Sequence, residues 1–432
     1  MSDSHGVSDD RADQPQRETP NPDAARESSS AAPTPTPEDL LAAHPALAIG
    51  RRLSEDVLGG MKQAFVGKDE IIDLLGVCLV GGENLFVLGP PGTAKSALVE
   101  DLARRVDGTV FDYLLTRFTE PNELFGPFDI RKLRDGDLVT NTEGMLPEAS
   151  LVFLDELLNA NSAILNSLLM VLNERVFRRG RETRKLPLQM VVGASNRLPE
   201  DDALAALFDR FLLRVRCDNV ATEQLADVLS AGWQLDLTAR GHAANGQQPQ
   251  PVTLDEIREL SALLAHVQLG DVRGRYVELV HRLRHAGLAV SDRRAVKLQR
   301  LLAASALICG RLHVQISDFW VLRYIWDTEE QQEILAGIVQ DVLDKAPADD
   351  ASGQIHPRAQ GGDAPDAEQL ARDLERLTEH FSQPNLSDLD RNYAQDRLGL
   401  LSARCQWVAD PQRREFLETR LSELWERVGG RS

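Results

Sequence analysis

Apolar residues recur every fourth position at Leu53, Val57, Met61 and Phe65, the spacing of one buried helix face. Phe65-Val-Gly-Lys-Asp-Glu70 interrupts this pattern, and a second helix follows through Ile71, Leu75 and Val80. The pattern then changes character. Residues 85–88 form an unbroken apolar run that reads as a buried strand and breaks at Gly89-Pro-Pro-Gly92, after which Ala97, Leu98 and Leu102 resume helical spacing. Apolar runs at 110–114, 151–154, 188–194 and 212–215 read as further strands. Between them lie an amphipathic helix at 160–175, with Ile164, Leu168, Leu169 and Leu172 on one face, and a short helix at 203–207. This alternation predicts an α/β fold with a mainly parallel five-stranded sheet covered by helices. Gly-Pro punctuation in 116–147 predicts a short helix and a projecting hairpin or loop.

After about 220 no strand pattern recurs. Helical periodicity near 222–233, 253–268, 272–289 and 292–309 predicts an α-helical lid, with a polar connector at 241–251. Helices near 316–326 and 329–345 follow, then a Pro/Ala/Gly/Asp linker at 346–366 and a helical piece at 367–428. The predicted division is a 1–45 tail, a 46–220 α/β domain, a 221–312 lid, and a 313–432 helical region interrupted by a flexible linker at 346–366. Residues 1–45 are rich in Ser, Pro, Asp, Glu and Ala, too polar to offset chain entropy by burial, and are expected to be disordered.

The 432 residues carry a formal charge of −19, which argues against a general binder of nucleic acid or anionic membrane. The basic run Arg175-Val-Phe-Arg-Arg-Gly-Arg181 is the best candidate for a local basic face, although such runs are usually solvated faces. Cys78, Cys217, Cys309 and Cys405 lie far apart without metal-ligand spacing, which fits free thiols in a reducing cytoplasm. The N-terminus lacks the apolar core of a signal peptide, and no apolar run approaches the ~20 residues of a membrane helix. A cytoplasmic location is expected.

Strand, glycine loop and helix opening on Lys-Ser form a phosphate-cradling arrangement: Gly89, Pro90, Pro91, Gly92, Thr93, Ala94, Lys95, Ser96 and Ala97. Lys95 would reach the β- and γ-phosphates as a point charge, and the Ser96 hydroxyl would complete a Mg²⁺ shell. Glycine is usual before the lysine. Ala94 stands there instead, and the loop closes around it if that position is right-handed helical. At the end of the 151–154 strand, Asp155 is placed to organise Mg²⁺ and Glu156 to polarise an attacking water. Together with the loop they point to hydrolysis of ATP or GTP. Asn196, at another strand end, is either a turn residue or an amide facing the attacking water. Arg210 either pairs with a nearby carboxylate or offers its guanidinium to a neighbouring subunit's γ-phosphate. Arg293 and Arg294, opening a helix after Ser291-Asp292, are candidate γ-phosphate sensors from the helical lid.

Gly89-Pro-Pro-Gly-Thr-Ala-Lys-Ser96, Thr116-Arg-Phe-Thr-Glu-Pro-Asn-Glu-Leu-Phe-Gly-Pro127, Phe153-Leu-Asp-Glu156, Ala163-Ile-Leu-Asn166, Leu172-Asn-Glu-Arg175, Ala194-Ser-Asn196 and Asp209-Arg-Phe211 together resemble a MoxR-type AAA+ ATPase over residues 47–310. The resemblance is greatest to the branch of the regulatory ATPase variant A (RavA), which also tolerates alanine before the loop lysine. It implies an ATPase using ATP and Mg²⁺, with Lys95 and Ser96 as Walker A and Asp155 and Glu156 as Walker B. It further implies that Asn196 is sensor 1, Arg210 the trans-acting arginine finger, Arg293 or Arg294 sensor 2, and Val66-Gly67 the adenine-side segment. The implied assembly is a homo-oligomeric, hexameric ring acting chaperone-like on protein clients, often with a von Willebrand factor A domain protein. An ATP-gated scaffold with slow hydrolysis is the alternative. The chain departs from that branch beyond about 345, where the branch's extra folded domain has only the 346–366 linker in its place, so functions of that domain do not transfer.

Overall fold

The computed structural model describes residues 45–129, 132, 139–179, 182–199, 202–239, 252–345, 356–359, 370, 371, 374, 378, 398, 401 and 411–429. The expected 1–45 tail, the 241–251 connector and Cys405 lie outside the described residues, apart from Pro45.

Five strands form one wholly parallel sheet: β1 (Leu85–Leu88), β2 (Val110–Leu114), β3 (Leu151–Asp155), β6 (Met190–Ser195) and β7 (Leu213–Arg216). Their order across the sheet is β2-β3-β6-β1-β7. Every residue of β1 and β6 is buried, as both faces of a helix-covered parallel sheet require. The pairing register aligns Leu88 with Ser195 and Arg216, and Leu114 with Asp155. These carboxyl ends make one rim, where loops of an open parallel sheet carry chemistry. A separate antiparallel hairpin joins β4 (Val176–Arg179) and β5 (Glu182–Lys185). It corresponds to the run read as a candidate basic face: only Phe177 of these two strands is buried, and the remaining positions carry mostly charged side chains.

The first helical pattern runs unbroken through Leu47–Arg52, Leu53–Leu58 and Gly59–Ala64, with the middle piece wound as a π-helix. That widened turn lets residues spaced by four, rather than 3.6, keep one face inward, and Leu53, Val57, Met61 and Phe65 are all buried. Helix α1 (Asp69–Gly81) is buried over eleven of its thirteen residues. The remaining long helices are α2 (Lys95–Arg105), α3 (Ser162–Glu174), α4 (Asp202–Phe208), α5 (Leu225–Ala239), α6 (Leu254–Ala262), α7 (Val272–His285), α8 (Asp292–Ile308), α9 (Glu330–Asp344) and α10 (Pro411–Gly429). A short helix, Pro121–Phe125, occupies the region where one was expected.

Helix α8 packs on α1 and on the N-terminal helical segment. At Gly50 the backbones touch: a Cβ there would stand 2.2 Å from the Leu307 carbonyl oxygen. The stretch Ile316–Tyr324 is a 3₁₀ helix rather than the expected α-helix, and it buries Phe319 and Trp320 completely. Its Asp318 accepts from Ser305 and pairs with Arg311 at 2.8 Å, both ion-pair side chains being fully buried. One contiguous core therefore extends from Leu47 to Leu343. Leu370, Leu374, Leu398, Leu401, Leu417, Leu421 and Leu424 form a second, smaller cluster with α10.

The flexible linker expected at 346–366 needs correction at 356–359. His356 is buried and stacks on Trp320, with ring centroids 4.4 Å apart. Arg358 pairs with Asp73 of α1 at 2.9 Å, and Asp73 also receives Lys62 at 2.6 Å. Two anchors hidden in a polar composition dock this piece on the main core. Among the described residues, no helix is long and apolar enough to cross a membrane.

Candidate nucleotide-binding site

The loop after β1 is tied on both sides. Gly89 donates its amide to the Ser195 carbonyl at 2.9 Å, and Cys217 donates to the Leu88 carbonyl at 2.8 Å. A Cβ on Gly89 would stand 2.2 Å from the Cys217 carbonyl oxygen, so glycine is required by close backbone approach. The Thr93 hydroxyl donates to Pro90 O at 3.0 Å, and the Cys217 thiol donates to Thr93 O at 3.3 Å. Lys95 opens α2 with its ammonium buried, donating to Gly89 O and Pro90 O at 2.9 Å each. Pro90, Pro91 and Gly92 are exposed, and Ser96 and Ala97 half-buried.

The expected right-handed geometry of Ala94 is overturned. Ala94 has φ 66° and ψ 25°, in the left-handed region, where its Cβ crowds the carbonyl at a cost of roughly 1–2 kcal/mol. Gly92 is also left-handed, with φ 82°, and nothing lies within 4 Å of where its Cβ would be. Left-handed residues at 92 and 94 curl the backbone into an open concavity of the kind that receives anions.

Across the rim, the Asp155 carboxylate accepts the Glu156 amide at 3.0 Å. Glu156 is itself left-handed (φ 50°, ψ 41°), a strained backbone at the end of a strand. Burial, and then the neighbouring Asp155 charge, push the Glu156 carboxyl above its ordinary range, while Lys95 and Arg197 oppose the shift. Glu156 and Lys95 therefore stand within electrostatic reach of each other. Asn159 donates to Glu156 at 3.5 Å and accepts from Arg197 at 3.3 Å. Asn196 is exposed beside Ser195, whose carbonyl holds Gly89.

Asp112, Asn159 and Arg197 were missed by sequence reasoning. Asp112 lies on β2, its carboxyl raised by burial, Glu100 and Asp155. Only the polar residue inside an otherwise apolar strand hints at it.

Val66 and Gly67 join the same rim. Gly67 has φ 71°, and its Cβ position lies 2.9 Å from Val220 and 3.1 Å from Gln224. The Lys68 ammonium donates to the Asp218 carbonyl in the chain leaving β7.

Arg210 is not brought to this rim, and the two lid arginines differ in their surroundings. Phe208 and Phe211 pack edge-on against Phe86, and Arg210 stands between them in sequence, in the turn before β7. Its carbonyl accepts from Asn84, the residue preceding β1. Five residue steps along the strand separate Asn84 from Gly89, about 17 Å at 3.3 Å each. Arg210 pairs with the adjacent Asp209 at 2.9 Å. Arg294 is buried, donating to Ile325 O and Ala289 O and pairing with Asp327 at 3.1 Å. Asp327 is shared with Arg214 of β7. Arg293 is exposed in the first turn of α8.

Ser96 and Asp155 are hard oxygen donors, few in number, one in the first turn of α2 and the other at the carboxyl end of β3. That set suits Mg²⁺, which keeps several waters and shares its shell with phosphate. The open concavity and buried ammonium suit the phosphates themselves.

This parallel sheet, its anion-receiving loop and the paired acids define a P-loop protein of the AAA+ class. A profile described as the MoxR domain in the MoxR-vWA-beta-propeller ternary systems matches residues 51–262, and an AAA lid domain matches 271–339. The chain is 33% identical over 294 residues to an uncharacterized protein of Methanocaldococcus jannaschii, spanning 67% of this chain and 74% of that one. It is 27% identical over 173 residues to the chaperone MoxR1 of Mycobacterium tuberculosis, covering 39% and 45% respectively. A crystal structure from Cytophaga hutchinsonii shares the fold, with a TM-score of 0.56 at 20% identity, over 71% of this chain and 98% of that one. The chain belongs to the MoxR-type AAA+ ATPase family.

Proposed function

We propose that this protein hydrolyses ATP at sites shared between neighbouring subunits and spends the cycle on remodelling a protein client. The observation that carries this reading is the separation of the two rims. Lys95, Asp155 and Glu156 gather at the carboxyl ends of the strands, whereas Arg210 sits where β1 begins, beyond reach of its own P-loop. Arg210 then serves the next subunit in a head-to-tail ring, which we take to be a hexamer. The charges at the two ends are complementary: Arg175, Lys297 and Arg300 lie around Glu83 at one, and Asp112, Asp155 and Glu156 lie at the other.

In the working site, the loop backbone and Lys95 bind the phosphates. Bound through Ser96 and Asp155, Mg²⁺ would neutralise the phosphate charge. Glu156, its basicity raised by burial, takes the proton of the attacking water, and Asn196 orients that water. The partner's arginine stabilises charge developing on the γ-phosphate. Of the two lid candidates, Arg293 is the sensor, since Arg294 is committed to Asp327. Val66-Gly67 takes the adenine side.

The matched profile's description supports a von Willebrand factor A domain protein as partner. Placement beside the RavA branch rests on the motifs alone. Buried free thiols at Cys78 and Cys217 suit the reducing cytoplasm. Glu156→Gln should bind ATP as the parent does and lose turnover. Retained turnover in that variant would remove Glu156 as the base. Turnover unchanged by assembly or by a captured client would instead favour the ATP-gated scaffold.

A further inference from the structure

We infer that Asn84 is a positioning residue that holds Arg210 for the neighbouring subunit; this rests on the trans role proposed for Arg210. Asn84 is buried to 2% exposure at a point where four separate parts of the chain meet. Its Nδ2 donates to the Arg210 carbonyl at 3.2 Å. Its Oδ1 accepts from the Val191 amide of β6 at 3.3 Å and from the Arg175 guanidinium at 2.8 Å. One amide thus joins the start of β1, the start of β6, the end of α3 and the turn that carries Arg210.

The turn has other supports, but they act on its flanks. Phe208 and Phe211 fix it to Phe86, and the Arg210 and Phe211 amides donate to Leu207 O and Phe208 O. The Phe211 amide holds one edge of the peptide plane that follows Arg210, and Asn84 holds the other edge by donating to the Arg210 carbonyl, which ties that plane to the sheet. The side chain's own partner is the adjacent and exposed Asp209, which cannot brace it against the fold.

Arg175 gives the amide its second meaning. It caps α3 in a left-handed conformation (φ 53°) and donates to Gly82 O as well as to Asn84. The other end of α3 begins at Asn161, whose side chain accepts the Ala163 and Ile164 amides and donates to Thr119 O. That end follows directly on Glu156 and Asn159 of the nucleotide rim. A rigid helix therefore runs from one rim to the other and ends on the amide that holds Arg210. Displacing a catalytic group by about 1 Å is enough to cost on the order of a hundredfold in rate.

Asn84→Asp tests this selectively. It keeps both acceptor bonds but sets an oxygen against the Arg210 carbonyl. Assembled Asn84→Asp protein should bind a non-hydrolysable ATP analogue within about twofold of the parent and lose kcat on the order of a hundredfold. Mixed one to one with Glu156→Gln subunits, it should recover roughly a quarter of parental turnover, the share of head-to-tail pairs in which an intact site meets an intact arginine. Arg210→Ala mixed with Glu156→Gln is the parallel control. If that control fails to recover, the trans role of Arg210 is lost. If the control recovers while Asn84→Asp keeps parental kcat, weakens analogue binding or is not complemented, the positioning role of Asn84 is overturned and the trans role stands. Should Asn84→Asp not assemble, Asn84→Ser is carried through the same mixture under the same criteria.

Discussion

Gly89 and Ser195 share a backbone hydrogen bond of 2.9 Å, so the phosphate loop and the strand end carrying Asn196 move as one piece. On the other side the Cys217 backbone closes against Gly89 with no room for a methyl group. Gly89→Ala should therefore splay β1 from β7, cost about 3 kcal/mol in urea denaturation and abolish binding of a fluorescent ATP analogue.

Ala94 makes the opposite prediction. Its left-handed backbone is strained by the side chain it carries, and glycine would relax it. Ala94→Gly should stabilise the fold by about 1 kcal/mol in the same denaturation assay. Equal or lower stability would contradict the left-handed assignment.

The adjacent arginines of α8 should separate cleanly. Arg294→Ala removes one of the two buried guanidinium donors that Ile325 O and Asp327 share with Arg214 and should destabilise by roughly 2–3 kcal/mol. Arg293→Ala, at an exposed position, should stay within about 0.5 kcal/mol of the parent and lower ATP turnover instead. Denaturation and turnover measured on both variants decide the matter.

His356 gives a pH dependence. Burial holds its imidazole down to about 4, against opposing pulls from Asp73 and Asp318. The unfolded chain takes up the proton near pH 6.5 and the folded one near 4, so the docked form is fully favoured above 6.5. That advantage is lost as pH falls toward 4, by roughly 3 kcal/mol in all. Hydrogen exchange at 356–359 should accelerate across that window. His356→Phe, which keeps a ring against Trp320 without the titrating nitrogen, should flatten the response.

Much of the sheet was legible because its strands are buried on both faces. The runs at Leu85–Leu88 and Met190–Ser195 admit few alternatives. The β4–β5 hairpin was not, since Arg178, Thr183, Arg184 and Lys185 expose nearly everything that would mark a strand pattern. Lys95, Ser96, Asp155 and Glu156 could be picked out because their motifs are local. The choice between Arg293 and Arg294 could not be made locally, because it depends on Asp327, more than thirty residues away. Asn84 and Arg175 were equally silent: their meaning comes from a meeting with residues 191 and 210. Ala94 misled because residue preference argued for the right-handed region while the loop imposed the left-handed one.

The docked His356–Ala359 piece also shortens a leash. Ten residues separate Ala359 from Leu370 in the second cluster, whereas 24 separate Lys345 from it. Fully extended, those stretches reach at most about 38 Å and about 87 Å. Anchoring at His356 and Arg358 thus fixes Ala359 beside α1 and the Ile316–Tyr324 helix, so Leu370 of the second cluster starts within about 38 Å of that point.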